Sequence, residues 1–266
     1  MRIKILIEAE AIPLLYRHRI LSLIKEALEK GDASYKDFLY NSKTAKPFTF
    51  NLVPPITRSI EEKEIRIDDK FSVKDRVFYS KGSYFSLFVS SIDERFILSL
   101  FKGLKKMDSF QFSYNNYMIV DGKSITLRIK RIIMINEKDI SKDSAVFKTS
   151  SPFLLEDKND NPVLFYEKHF EKELNEITDK ILSSSHIKGK GLEKPLKFEP
   201  IQMNKQVVKH TLRAFREKTN KPIMYLTANA GVFKLEGHPT DLDILYKIGI
   251  GNRTGQGFGM LELLEY

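Results

Sequence analysis

Hydrophobic and polar positions alternate from the first residues, with Ile3, Ile5 and Ile7 set against Arg2, Lys4 and Glu8. That is the period of a strand with one buried face. Pro13 then stands where a first helical residue would be, and Gly31 where a helix would stop. Between them Ile20, Leu21, Ile24, Ala27 and Leu28 make one apolar stripe, so a strand leads into an amphipathic helix. The segment from Asp32 to Lys46 reads as a polar loop carrying Tyr35, Lys36, Phe38, Tyr40, Lys43 and Lys46. Phe48 to Leu52 alternates again as a strand. Arg76 to Tyr79 and Tyr84 to Ser90 read as a hairpin turning at Lys81-Gly82, and Ser91-Ile92-Asp93-Glu94 has the capping-box pattern ahead of a helix from Arg95 to Lys105. With strands over Asn116 to Val120 and Ile125 to Ile135, the order is β-α-β-β-α-β, that of a ferredoxin-like unit.

The second half repeats this order. Val146-Phe147-Lys148 is a short strand, and Phe170, Leu174, Ile177 and Ile181 mark a helix at 3–4 spacing. Strands are expected at Leu196 to Pro200, Gln206 to Arg213 and Pro222 to Ala230. Pro239 opens a helix through Leu245, and a last strand follows a glycine-rich turn. The expected class is α+β, with two tandem ferredoxin-like domains over residues 1–138 and 144–266 and a boundary near Asn136 to Ser144.

The turn is the most distinctive stretch: Gly249-Ile-Gly251-Asn252-Arg253-Thr254-Gly255-Gln256-Gly257-Phe258-Gly259. Glycines at this density let backbone N–H groups approach a partner closely. A dinucleotide fingerprint is excluded because a helix precedes the glycines and a strand follows them, and no G-x-x-x-x-G-K-[ST] is present. The bland alternative is a long glycine-bearing β-turn.

Charge adds a partner class. The 266 residues hold 44 Lys and Arg against 35 Asp and Glu, a net +9, which suits a polyanion. The excess is concentrated between Ser183 and Lys221, where Ile187-Lys188-Gly189-Lys190-Gly191 reads as a basic, flexible loop able to wrap phosphates; such a run is otherwise a solvated surface. With no cysteine there is no disulfide framework, thiolate nucleophile or Cys-based zinc site. The five histidines, at 18, 169, 186, 210 and 238, show no metal-ligand spacing such as H-E-x-x-H, so neither a catalytic metal nor another cofactor is expected. His18, between Arg17 and Arg19 on the first helix, could reach a nucleic acid, and His238 before Pro239 suits a helix cap. The charged, alternating N-terminus is neither signal peptide nor membrane span, so a soluble cytoplasmic protein is expected.

Together, the double ferredoxin-like order and the terminal G-I-G-N-R-T-G-Q-G-F-G-M resemble the repeat-associated RNA-binding (RAMP) superfamily of CRISPR systems. Within it the chain is most similar to the "Cas six" family of repeat-processing endoribonucleases. Met1-Arg2-Ile3-Lys4, the Pro13–Leu28 helix, Phe48-Thr49-Phe50 and Phe147-Lys148-Thr149-Ser150-Ser151-Pro152 give weaker support. The resemblance implies metal-independent cleavage of CRISPR repeat RNA in a precursor transcript by a ribose 2′-hydroxyl. That reaction needs a base near the 2′-oxygen, an acid for the leaving 5′-oxygen and a cation for the phosphorane charge.

The sequence departs from the family where a histidine is usual: that position falls on Tyr40, and the family's lysine falls on Lys46. The resemblance therefore implies a pocket at Lys30, Tyr35, Tyr40 and Lys46, with Tyr40 in the proton-transfer position and Lys46 stabilising charge; packing aromatics and solvated lysines are the alternative. RNA contacts are expected from Gly249, Gly251, Asn252, Arg253, Thr254, Gly255, Gln256, Gly257, Gly259, Lys188, Lys190 and His18. The rival reading is a non-cleaving RNA-binding subunit of a CRISPR effector complex. A homodimer or an effector complex are the assemblies to expect.

Overall fold

The computed structural model describes residues 1–41 and 44–265, so Lys43 lies outside the described residues. The first half runs β1 (Arg2–Glu8), β2 (Ala11–Pro13), α1 (Arg17–Tyr40), β3 (Phe48–Val53), β4 (Ser59–Arg66), β5 (Ser72–Tyr79), β6 (Phe85–Ser91), α2 (Glu94–Lys105), β7 (Ser109–Gln111), β8 (Ile119–Val120) and β9 (Thr126–Ile135). The second runs β10 (Ser144–Thr149), α3 (Phe170–Leu182), β11 (Lys197–His210), α4 (Arg213–Thr219), β12 (Met224–Glu236), α5 (Pro239–Ile248) and β13 (Leu261–Glu265).

Two sheets share one topology. In the first half the order is β3-β6-β1-β9 with β7 added at the edge; in the second it is β11-β12-β10-β13, every neighbour antiparallel. Each places its first strand between its third and fourth, so the chain is two tandem ferredoxin-like units. The alternation of β1 does what its period requires: Ile3, Ile5 and Ile7 are fully buried, against Ile20, Leu23, Ile24, Ala27 and Leu28 of α1. Phe147, Phe233, Leu174, Leu242 and Leu245 build the corresponding core of the second unit.

Several local expectations are corrected. Gly31 does not end α1. It lets α1 and α2 touch: a Cβ there would lie 1.9 Å from the Ser99 carbonyl oxygen, and one on Gly103 would lie 1.7 Å from that of Ala27. The helix breaks one residue later at Asp32, whose backbone is extended (φ −163°, ψ 89°). Its carboxylate accepts the Tyr35 N–H at 3.0 Å, capping a second helical segment where a loop was expected. That N–H first, then Ser34 and Arg95, draw the Asp32 carboxyl down to about 2. The cap of α2 is Asp93, which accepts from Arg95 and Phe96 N–H, while Ser91 donates to the Pro47 carbonyl.

The expected hairpin is not one. The turn at Lys81-Gly82 exists, but it carries the chain from one sheet to another: β5 pairs with β2 and β4, β6 with β1 and β3. The strands expected at 196–200 and 206–213 are one strand, β11. A bulge between Pro200 and Gln202 absorbs the missing proline donor, and Arg213 opens α4 instead. His238 caps α5, its Nδ1 accepting the Thr240 N–H. No helix among the described residues is long and apolar enough to cross a membrane.

The units are tied by buried and partly buried polar contacts. Thr49 Oγ1 donates to the Phe258 carbonyl at 2.8 Å and Asn51 Nδ2 to the Ser150 carbonyl at 2.7 Å. Arg216 pairs with Asp68 and Lys209 with Asp75, each at 2.8 Å.

Candidate functional site

A cleft of about 1000 Å³ opens between the units. One wall comes from the first unit: Leu21 and Lys25 of α1, Tyr40 at its end, and Thr44, Ala45 and Lys46 of the connection to β3. The opposite wall comes from α3, from residues 156–160, and from the glycine loop over 251–256.

Tyr40 organises the first wall. Its ring carries two amines: Lys25 Nζ lies 4.5 Å and Lys46 Nζ 5.3 Å from the ring centroid, both within the range of a cation–π contact. Lys46 also donates to the Leu39 carbonyl at 2.6 Å. Lys25 has neither hydrogen-bond nor ion-pair partner among the described residues. Both amines sit below the ordinary lysine range, Lys25 through burial and then the Lys36 charge, Lys46 through burial and then the Lys25 charge. The Tyr40 hydroxyl is closed to solvent and has no partner among the described residues. Burial pushes its acidity well above the ordinary phenol range, which leaves no phenolate to take a proton.

Sequence reasoning missed Lys25. Leu21 and Lys25 are one turn apart on the face that turns to the cleft, a signal that spacing alone could have given. Lys30, five residues on, falls about 140° further round the helix. It pairs with Glu26 at 3.3 Å, outside the cleft, so its expected place in the pocket is corrected. Tyr35 is corrected too: its hydroxyl donates to Asp93 at 2.6 Å, bracing the cap of α2 rather than facing the cleft.

The glycine loop divides in two. Gly249, Gly257 and Gly259 are buried and approach the protein's own chain rather than a ligand. At Gly257 (φ +85°) a Cβ would lie 2.7 Å from the Phe50 ring, and at Gly251 (φ +77°) one would lie 2.1 Å from the Leu154 carbonyl oxygen. The cleft side is formed by Gly251, Asn252, Arg253, Thr254, Gly255 and Gln256. Arg253 is already engaged there, with Nη2 2.9 Å and Nε 3.1 Å from the Glu156 carboxylate.

Three further expected contacts are engaged or enclosed within the protein. Lys188 is not offered to phosphate: its side chain is 9% exposed, and it pairs with fully buried Asp241 and with Glu193. Lys190 is exposed but paired with the same Glu193. His18 is not a surface residue. Both ring nitrogens are enclosed and without a partner among the described residues, and the ring packs edge-on against Tyr117 at 5.2 Å.

His18 and His210 are held neutral, chiefly by burial; His18 lies well below the usual imidazole range, and His210, near the Arg17 charge, is brought from 6.5 to about 4. The unfolded chain binds more protons as pH falls through 6.5, so stability is flat above that value and declines toward about 4. From His210 alone the loss is of order 2 kcal/mol by pH 5. Urea unfolding at pH 7.5 and 5 should show a larger loss for the wild type than for His210→Gln; equal losses would contradict this account.

The arrangement is that of a tandem ferredoxin-like protein with a glycine-rich loop seated between its halves. Residues 135–263 match the model described as CRISPR associated protein Cas6, C-terminal. A structure described as a RAMP protein binding different RNA substrates superposes with a TM-score of 0.75 at 19% identity, covering 100% of both chains. A Cas6-related protein of Pyrococcus furiosus does so with 0.72 at 19% identity, over 100% of this chain and 98% of that one. A CRISPR associated protein Cas6 gives 0.67 at 20% identity, over 100% and 99%. No curated protein sequence matches the chain. Residues 135–263 are thus similar to the C-terminal part of Cas6 proteins, and the whole chain carries the fold of these structures.

Proposed function

We propose that the protein binds CRISPR repeat RNA in the precursor transcript and cleaves it without a metal ion. A ribose 2′-hydroxyl attacks the adjacent phosphate, leaving a 5′-hydroxyl and a cyclic phosphate. The observation that carries this reading is the pair of amines, Lys25 and Lys46, gathered over one aromatic ring on the wall of the cleft between two ferredoxin-like units. Phosphoryl cleavage of this kind needs charge stabilisation and proton transfer in a partly enclosed site. Lys46, tethered to the Leu39 carbonyl, supplies the cation beside the phosphorane. Tyr40 holds the amines through its ring rather than transferring the proton itself. Across the cleft, the Gly251–Gln256 edge of the loop offers backbone and amide groups to the RNA chain. Acidic Glu173 and Glu176 of α3 disfavour phosphate on their side and so direct it toward the lysines.

A second reading, a non-cleaving subunit that holds repeat-derived RNA in an effector complex, is favoured by Tyr40 in the family's histidine position with its hydroxyl enclosed. Incubation with end-labelled repeat RNA in excess EDTA separates the two. The cleavage reading expects cutting by the chain as it stands; tight binding with cutting only after Tyr40→His would favour the second. Neither binding nor cutting by either protein would overturn both.

A further inference from the structure

We propose that Lys25 is the general base of the reaction, its neutral amine taking the proton of the attacking 2′-hydroxyl. This rests on the cleavage reading above and assigns a role that neither Tyr40 nor Lys46 can fill. A base must present a lone pair to the cleft. The Tyr40 hydroxyl is enclosed, and no histidine is among the described residues that line the cleft. His186 lies within reach of the Lys46 charge, and burial together with that charge lowers its proton affinity, but it does not line the cleft. Lys46 is held at the Leu39 carbonyl at 2.6 Å, an acceptor that favours its ammonium form. Lys25 alone of the two has no acceptor or carboxylate partner among the described residues. It is anchored by its stem on α1 and by the Tyr40 face at 4.5 Å, which fixes its position without occupying its lone pair.

The surroundings support an amine that loses its proton more readily than usual. Burial acts first and the Lys36 charge second; Lys46 shares the same ring. From the facing helix α3 come Glu173, Glu176 and Lys180, across the open cleft. Buried lysines beside other cations are known to serve as bases and nucleophiles near neutral pH.

The step balances within the chain's own groups. As the 2′-oxygen bonds to phosphorus, its proton passes to Lys25 Nζ. The P–O5′ bond breaks, its electron pair goes to the 5′-oxygen, and that oxygen takes a proton from the Lys46 ammonium. Exchange with water then returns Lys25 to the amine and Lys46 to the ammonium.

Lys25→Arg decides the assignment, because a guanidinium fills the same place over the Tyr40 ring but cannot act as a base near neutral pH. Single-turnover cleavage of repeat RNA in EDTA is expected to fall by roughly 10²–10⁴-fold, with RNA affinity within about threefold of wild type. Lys25→His is expected to restore cutting, with the rising limb of the pH–rate profile moved to lower pH. A Lys25→Arg protein that cleaves at the wild-type rate would overturn the base assignment and leave the cleavage reading intact. A wild type that binds the repeat without cutting it would overturn both. Should Lys25→Arg fail to fold, the wild-type profile still decides: the rate should rise with pH through one group that titrates below the ordinary lysine range, and a flat profile rejects Lys25 as base.

Discussion

Lys46→Ala lowers the single-turnover rate of repeat cleavage by about 10²–10³-fold, the usual loss when one preorganised donor to a developing anion is removed. RNA affinity should change far less, because the phosphorane charge that Lys46 meets exists only in the transition state. The substitution removes a partly buried amine, its bond to Leu39 and its contact with the Tyr40 ring. Lys46→Arg retains the charge but not the compact ammonium, and should recover only part of the rate. Cleavage at the wild-type rate by Lys46→Ala would remove Lys46 from the reaction.

Asp241→Ala destabilises the second unit by about 4 kcal/mol, because it leaves the Lys188 ammonium buried without its main counter-ion. Asp241 is fully buried at the first turn of α5 and also accepts the Glu193 N–H at 2.7 Å. Replacing both partners, Asp241→Ala with Lys188→Met, should recover much of the loss, since a buried pair exchanged for apolar groups is often nearly neutral. Denaturant unfolding of the two variants checks this. The same pair separates a structural Lys188 from a phosphate-binding one: the double variant should bind repeat RNA as the wild type does. An Asp241→Ala protein as stable as the wild type would contradict the burial account.

What could be seen in the sequence follows from how each element buries its side chains. β1, α3 and α5 show clean periods because one face of each lies in a core, and the double β-α-β-β-α-β order follows from them. β4 gave no such signal. Its Glu61, Glu62 and Glu64 are exposed and Lys63 is only half-buried, so no apolar alternation marks a strand that belongs to an added sheet. The helical segment after Asp32 was hidden because a polar stretch with a single capping aspartate reads as a loop. The glycine loop was recognisable as a place of close approach, but sequence cannot say toward what; half of it turned out to meet Phe50, Leu154 and its own backbone.

The site was legible in the same partial way. Tyr40 and Lys46 do meet at one cleft wall, whereas Tyr35 and Lys30 belong to the other side of α1. Their roles depend on which way a side chain turns after the break at Asp32, and composition carries no record of that. Lys25 belongs with Tyr40 because the helix returns it to the cleft, 15 residues earlier in the chain. The burial that lowers its proton affinity is a tertiary property.

The central claim is tested most directly with a repeat RNA carrying a single 2′-deoxynucleotide just upstream of the cut phosphate, incubated with the wild-type protein in EDTA beside the all-ribose strand. The account predicts equal binding, cleavage of the ribose strand at one position to a 5′-hydroxyl product, and no cleavage of the deoxy strand. Cleavage of the deoxy strand at the same site would show a water or metal-bound nucleophile and contradict the mechanism derived from Lys25, Tyr40 and Lys46.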